Sequence, residues 1–486
     1  MAKDEGGLMI GRMLIGGEFV ESEGGGWIET INPANEALIG RVPEGTAADV
    51  ERAVAAATKA QKGWAALDMQ ARAGYLNRLG DAILERADDL AELEAIDTGN
   101  TIGKMKADVE KSVERIRLAA GLAFEIKGQT IPATANGLHM TLPTPYGIVG
   151  RIIPFNHPFG FAASRLASAI IPGNAIIIKP CETSPLSACV LGEIVTDILP
   201  PGVVNIVTGG AATGEAIVRH PKIKRIAFIG HAATGMAIQR AAAEVAVKHV
   251  TLELGGKNPM IICPDADLDA ASAAAVRGMN FAWQGQSCGS TSRLMLHEDV
   301  YDTVLPRVIE KISTMKAGDP LDPASDMGPM NSQMQYDKTM KYIEIAKADG
   351  ATLAAGGKRP EGPEYDKGFW VEPTVFTDVT TDMRIAREEV FGPVLSVFKW
   401  REIDEVIEMA NAIDLGLTAS IWTRDLSLAL RLTREVDAGY VWVNGCGTHF
   451  RNVPHGGFKN SGTGREEGID EILSYTEVKA VNILAG

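Results

Sequence analysis

The sequence predicts an α/β protein with two doubly wound domains and a small strand-based appendage. Three observations carry this reading. From YGIVGRIIP onward, short apolar runs alternate with helices rich in small residues. A second alternation begins near Asn258 and continues to about Asn444. The uncharged, Thr/Pro/Gly-rich stretch from about Gly128 to Gly147 and the alternating tail YTEVKAVNIL read as extended. At roughly 100–200 residues per domain, 486 residues correspond to two to four domains.

The elements follow in order. Thr46 and Asp49 resemble a capping box that opens TAADVERAVAAATKAQKGW, whose apolar residues fall at helical spacing. One further helix is expected through RAGYLNRLGDAILERADDLAELEA, stopping near Gly99. The Gly128–Gly147 stretch reads as a bridging or pairing segment. YGIVGRIIP, AIIIKP, VVNIVTG and RIAFIG then read as buried strands, each followed by a helix, and NPMIIC with ADLDAASAAAVRGMNFAWQ opens the second series. No repeat at a period of roughly 20–50 residues interrupts the pattern.

Composition narrows the function. A chain that is 45% hydrophobic and 22% charged is globular rather than disordered. The 47 basic and 62 acidic side chains leave a formal net charge of -15, which repels phosphate backbones and argues against nucleic-acid or anionic-membrane partners. The five cysteines are odd in number, scattered and without a C-x-x-C pair, so a reducing compartment is expected, with no disulfide framework and no metal site. MAKDEGG does not resemble a signal peptide. The best membrane candidate, IIPFNHPFGFAASRLASAIIPGNAIII, contains Arg165, Asn156 and prolines, whereas a spanning helix needs about 20 predominantly apolar residues. A soluble, cytoplasmic protein is expected.

Several segments carry residues suited to chemistry. In RIAFIGHAATG a strand ends at Gly230 and a helix is expected from about Gly235, offering free N–H groups to an anion. The G-x-x-x-x-G spacing lacks the Lys-Ser/Thr of a phosphate-binding loop, and alone it equally describes an ordinary turn. Glu253 lies between Leu252 and Leu254 in TLELGGKNP, where a carboxyl group has a raised pKa suited to a general base, although Glu is usually a surface residue. Cys288 sits among small residues in FAWQGQSCGS, uncrowded as a nucleophile requires, although free cysteines are commonly inert. Cys181 and Cys446 also fall in loops and stay open as alternatives. Asn156, between prolines in PFNHP, carries an amide able to donate to an oxyanion or simply to shape a turn. Glu388, Glu389 and Phe391 precede a strand in AREEVFGPV.

Together, PFNHP, IIIKPCETSP, FIGHAATG, LELGGKNP, FAWQGQSC, EEVFGPV and HGGFKNSGTGREEG resemble, in order and spacing, the NAD(P)-dependent aldehyde dehydrogenase superfamily, in its hydrolytic, non-acylating branch. The resemblance covers essentially the whole chain. It implies a Rossmann-like coenzyme domain (1–122 and 146–254), an α/β catalytic domain (255–455) and a β-strand oligomerisation arm (123–145 and 456–486) that makes a homodimer or homotetramer. It further implies that Cys288 attacks a small-molecule aldehyde, that the Cys288 N–H and Asn156 hold the oxyanion, and that Glu253 activates water to hydrolyse a thioester. Lys179 joins this set and, with Glu182, matches positions contacting the adenosine ribose. Gly210 and Gly214 match the adenine side, and Gly230 and Gly235 bracket the pyrophosphate loop. Glu389 matches the residue at the nicotinamide ribose, with Phe391 beside it, and Ile153 and Phe155 face the cofactor. NAD is expected, with NADP less favoured because Glu182 repels a 2′-phosphate.

Three positions depart from the pattern. His231 stands where a serine is usual, Phe155 where many members have Trp, and Ser287 where a cysteine or aliphatic residue is common. Two other readings were weighed. A coenzyme-A-acylating semialdehyde dehydrogenase typically lacks the glutamate present here as Glu253, and a catalytically silent structural protein needs no intact Cys288, Glu253, Asn156 and Lys179. For the substrate, Gly160, Phe161 and Ser164 are expected towards the pocket, where relatives that cage a cation often carry Trp in place of Ser164. His157, His449 and His455 are expected at the entrance, with protonated imidazole opposing a cation. A neutral or anionic aldehyde is therefore expected rather than betaine aldehyde.

Overall fold

The computed structural model describes residues 2–4 and 6–484. Helix Ala47–Ala66 opens as its sequence predicts: the Asp49 carboxylate accepts from the Thr46 N–H and hydroxyl, each at 2.9 Å. The single helix expected next is in fact two, Met69–Glu85 and Ala87–Thr98. Arg86, at φ -110 and ψ 12, leaves helical geometry between them while the apolar spacing continues, so periodicity alone does not reveal the break. Gly99, at φ 82, ends the second helix in the left-handed conformation that glycine adopts without penalty. Helix Ile102–Leu122 packs on both and on helix Pro158–Ile170.

Two open sheets organise the rest. The first has eight strands in the spatial order Gly462–Thr463, His249–Leu254, Ile223–Gly230, Ile148–Ile152, Ala175–Lys179, Val204–Ile206, Met13–Ile15 and Glu18–Val20. Its five central strands are parallel, and antiparallel strands from the two ends of the chain close its edges. Ile148–Ile152 and Ala175–Lys179 are buried throughout, which explains why Arg151 and Lys179 are their only charged residues: helices cover both faces. The second sheet has seven strands, with Pro259–Ile262, Arg293–His297, Val394–Trp400, Thr418–Trp422 and Tyr440–Val443 among its parallel members.

The stretch expected to be extended contributes strand Gly137–Pro145, which pairs antiparallel with Thr476–Leu484 from Thr476 opposite Pro145 to Leu484 opposite Gly137. The appendage is narrower at the C-terminus than 456–486. Gly462–Thr463 joins the first sheet, and helix Gly468–Leu473 packs on helices Ile102–Leu122 and Pro158–Ile170. The physical reason is electrostatic. Buried Arg151 and Arg165 draw Glu466, Glu467 and Glu471 of this segment inward. Among the described residues, no helix is long and apolar enough to cross a membrane, and no cluster of side chains is arranged to hold a metal ion.

Candidate active site

Cys288 lies on a loop between the short turn Phe281–Trp283 and strand Arg293–His297. The loop reverses through left-handed residues Asn280, Gln284 and Gly285. A Cβ on Gly285 would fall 2.2 Å from the Gly392 carbonyl oxygen, so only glycine fits. Gln284 donates to the Gly99 carbonyl at 3.1 Å, and the Asn258 amide donates to the Cys288 and Ser290 carbonyls at 2.7 and 2.9 Å. These bonds hold the loop against the end of the first sheet.

Strand His249–Leu254 delivers Glu253 to the same cavity, a space of about 480 Å³ lined by Cys288, Glu253, Trp283, His157, Arg165 and Glu467 among others. Both Glu253 carboxyl oxygens are buried without a full hydrogen bond. Burial, and then the charge of Glu466, push this carboxyl group up to about 8, and the nearby Cys288 thiol offsets only part of the shift. The Cys288 thiol is itself raised well above its ordinary value by burial and by Glu253. At neutral pH the two groups therefore rest as a thiol beside a largely protonated acid.

Asn156 occupies the turn before helix Pro158–Ile170, outside the lining of this cavity. Asn100 donates to its backbone carbonyl at 3.0 Å, and its side-chain Oδ1 is buried without a partner. Lys179 ends its strand with Nζ donating to the Pro180 carbonyl at 2.9 Å and to Glu182 at 3.3 Å. Gly214 sits against the Lys179 stem, where an added Cβ would lie 3.6 Å away, while the space beyond Gly210 is open. Ile153 is buried beside this strand, its N–H bonded to the Lys179 carbonyl at 3.1 Å. Phe155 and Phe391 meet edge to face at 5.8 Å, with Phe391 at a positive φ of 56. Glu389 accepts from the Gly256 N–H at 2.8 Å.

Two expectations about the loop after Gly230 are corrected. The helix starts at Ala232, not Gly235, because His231 caps it by accepting from the Ala233 N–H at 3.3 Å. Gly235 lies inside the helix, and a Cβ there would come 2.9 Å from Leu254, so its absence serves close helix–strand packing. A third correction concerns charge in the pocket. His455 is buried, and burial followed by the His449 imidazole pushes its pKa down to about 3, so its ring is neutral. Gly160, Phe161 and Ser164 do line the cavity, with the Ser164 hydroxyl turned back to the Gly160 carbonyl at 2.5 Å.

Several contributors are not among the residues that the sequence singles out. Asp108, on helix Ile102–Leu122, holds His157 Nδ1 at 2.5 Å. Glu467 accepts from Arg115 at 2.7 Å and contacts His449 at 3.0 Å and Arg165 at 3.1 Å. Burial opposes its charge, but His449, Arg115 and Arg165 together hold its carboxyl group well below the ordinary range. These pairs join residues far apart in the chain, so no local pattern announces them. Lys257, in LELGGKNP beside Asn258, is buried with Nζ unpartnered and pushed down to about 7 by burial and Arg293.

A family model described as the aldehyde dehydrogenase family matches residues 19–481. The chain is 44% identical over 465 residues to aldehyde dehydrogenase tropH of Talaromyces stipitatus, covering 94% of this chain and 90% of that protein. It is 42% identical over 481 residues to human retinaldehyde dehydrogenase 3, covering 98% and 93%. Among solved structures, the NAD+ complex of an aldehyde dehydrogenase from Bacillus cereus superposes with a TM-score of 0.95 at 40% identity, covering 98% and 97% of the two chains.

Proposed function

The chain belongs to the aldehyde dehydrogenase family, and from that premise we propose that it oxidises an aldehyde to the carboxylic acid, with NAD as hydride acceptor and Cys288 as nucleophile. The convergence of Cys288 and Glu253 in one cavity carries this reading.

The residues present fit NAD. Buried Lys179 and half-exposed Glu182 stand at the carboxyl end of a parallel strand, where a ribose diol finds both a donor and an acceptor. Open space at Gly210 and the absent Cβ of Gly214 leave room beside them, and the helix N-terminus at Ala232 suits a pyrophosphate. Glu389 would hold the nicotinamide ribose, and Phe155 with Phe391 would form an aromatic wall. When bound, the nicotinamide supplies the two-electron acceptor. The carboxylate of Glu182 disfavours a 2′-phosphate, so NAD is preferred over NADP.

Cys288 must lose its proton to act, and Glu253 is the base in range. Sγ bonds to the aldehyde carbon while the carbonyl oxygen gains negative charge, held by the Cys288 N–H, with Asn156, which lies outside the cavity lining, as the candidate second donor. Departure of hydride from that carbon leaves a thioester on Sγ. Glu253, having passed the thiol proton to solvent, takes a proton from water as the water oxygen attacks, and Cys288 is expelled as a thiolate that regains a proton as the acid is released. Burial and the charge of Glu466 keep this base weakly acidic, while Arg165, anchored by three carboxylates, works in the opposite direction. The arm formed by Gly137–Pro145 and Thr476–Leu484 leaves Leu142, Val478 and Leu484 exposed, which supports pairing between copies in a homo-oligomer.

The test is NADH formation across a panel of aldehydes with wild type and Cys288→Ala. Aldehyde-dependent NADH from wild type and its loss in the variant are expected. Wild-type activity in Cys288→Ala would overturn the assignment.

A further inference from the structure

In the lining of this cavity, two histidines are oriented by carboxylates. His157 Nδ1 meets Asp108 at 2.5 Å, and His449 Nδ1 meets Glu467 at 3.0 Å. An ionised carboxylate only accepts, so Nδ1 of each ring carries the hydrogen. In the neutral ring Nε2 is then an acceptor. Trp283 lies beside His157, ring centres 5.3 Å apart, and its indole N–H is buried with no acceptor. His455 Nε2, buried and stacked on His449 at 4.5 Å, also has no partner. The cavity lining thus includes an unused donor on Trp283 beside the His157 ring, in a place the substrate must enter.

We propose that these groups select an uncharged aldehyde bearing a hydroxyl group, which donates to the His157 ring and accepts from the Trp283 N–H. The proposal rests on the dehydrogenase reading above and specifies its substrate. A hydroxyl group meets a donor and an acceptor together through a single oxygen. A hydrocarbon chain leaves both unsatisfied, which a buried polar site tolerates poorly. A carboxylate has no hydrogen to give to the His157 ring, and three of the four Lys and Arg side chains lining the cavity are already paired: Arg165 and Arg115 with Glu467, and Arg451 with Glu114 at 3.0 Å. The face that replaces a cation cage is therefore a hydroxyl reader built from His157 and Trp283.

Steady-state kinetics with NAD on glyceraldehyde, propanal and succinic semialdehyde test this. The first two share a three-carbon chain and differ in hydroxyl groups, and the third carries a carboxylate. Wild type is expected to favour glyceraldehyde over propanal by about tenfold or more in kcat/KM. Trp283→Phe and His157→Phe are each expected to bring that ratio towards one, mainly through KM. His157→Phe leaves Asp108 without its partner, so if it fails to fold, Trp283→Phe decides. Propanal or succinic semialdehyde matching glyceraldehyde in wild type, or a ratio unchanged in the variants, would overturn the proposal. Absence of NADH with every aldehyde would instead overturn the dehydrogenase reading itself.

Discussion

The side-chain amide of Asn258 donates to the backbone carbonyl of Cys288 at 2.7 Å. Asn258 belongs to the same LELGGKNP segment as Glu253, so one stretch of chain both supplies the candidate base and fixes the loop that carries the candidate nucleophile. A third bond, from the Thr418 N–H to Asn258 Oδ1 at 2.9 Å, ties this arrangement to the second sheet.

Asn258→Ala removes two donors and one acceptor at a fully buried position, and each group left unsatisfied costs about 1–3 kcal/mol. We expect a lower melting temperature and a kcat reduced about a hundredfold, since displacement of the nucleophile by about 1 Å has an effect of that size. Thermal unfolding and kcat measured together check both. A variant with wild-type kcat would show that the loop does not depend on this bond.

Glu253→Gln should slow thioester hydrolysis more than NADH formation, giving a slowed NADH burst followed by turnover reduced by about 10²–10⁴-fold, the usual contribution of a general base. Wild-type activity should rise with pH through the Glu253 value of about 8, and that limb should vanish in the variant. Rapid-mixing kinetics across pH read both effects.

Stability provides an independent check on Glu253. Its folded pKa is raised above the unfolded value, so the unionised group favours folding at low pH, and that advantage is lost as pH rises through about 8. Glu253→Gln cannot ionise. Relative to wild type it should therefore gain melting temperature between pH 6 and pH 9, pH values chosen to fall about one to two units either side of that value. No change in the difference would place Glu253 in an ordinary solvated setting.

Gly285→Ala should be strongly disruptive. The residue sits at φ 67 with the Gly392 carbonyl oxygen 2.2 Å from the position of an added Cβ. The strained conformation alone costs about 1–3 kcal/mol. The nucleophile loop must also move, so activity should fall further than stability, and parallel assays of both test the point.

Glu182→Thr should shift preference towards NADP by removing a carboxylate that is 48% exposed and 3.3 Å from Lys179. The ratio of kcat/KM for the two cofactors measures the shift. An unchanged ratio would place the 2′ position elsewhere.

Sequence patterns carried much of the architecture because they are local. The Thr46–Asp49 cap, the apolar strands and the small-residue loop around Cys288 each depend on neighbours within a few positions. The break at Arg86 was hidden because the apolar spacing continues through it. The spacing points to a helix start near Gly235, whereas His231 caps the helix and it starts at Ala232. The ion cage of Arg151 and Arg165 with Glu466, Glu467 and Glu471 joins residues about 300 apart, and only the fold brings them together. The same holds for Asp108 and His157, whose contact lies in the lining of the cavity.

The central claim is that the aldehyde carbon becomes bonded to Cys288 during oxidation. Intact-protein mass spectrometry of Glu253→Gln, mixed with NAD and an aldehyde that the wild type oxidises and quenched in acid, tests it most directly. The account predicts an acyl adduct that maps to the peptide carrying Cys288 and is absent in the Glu253→Gln, Cys288→Ala double variant. An adduct on another residue, or NADH release with no adduct and with Cys288→Ala still active, would contradict it.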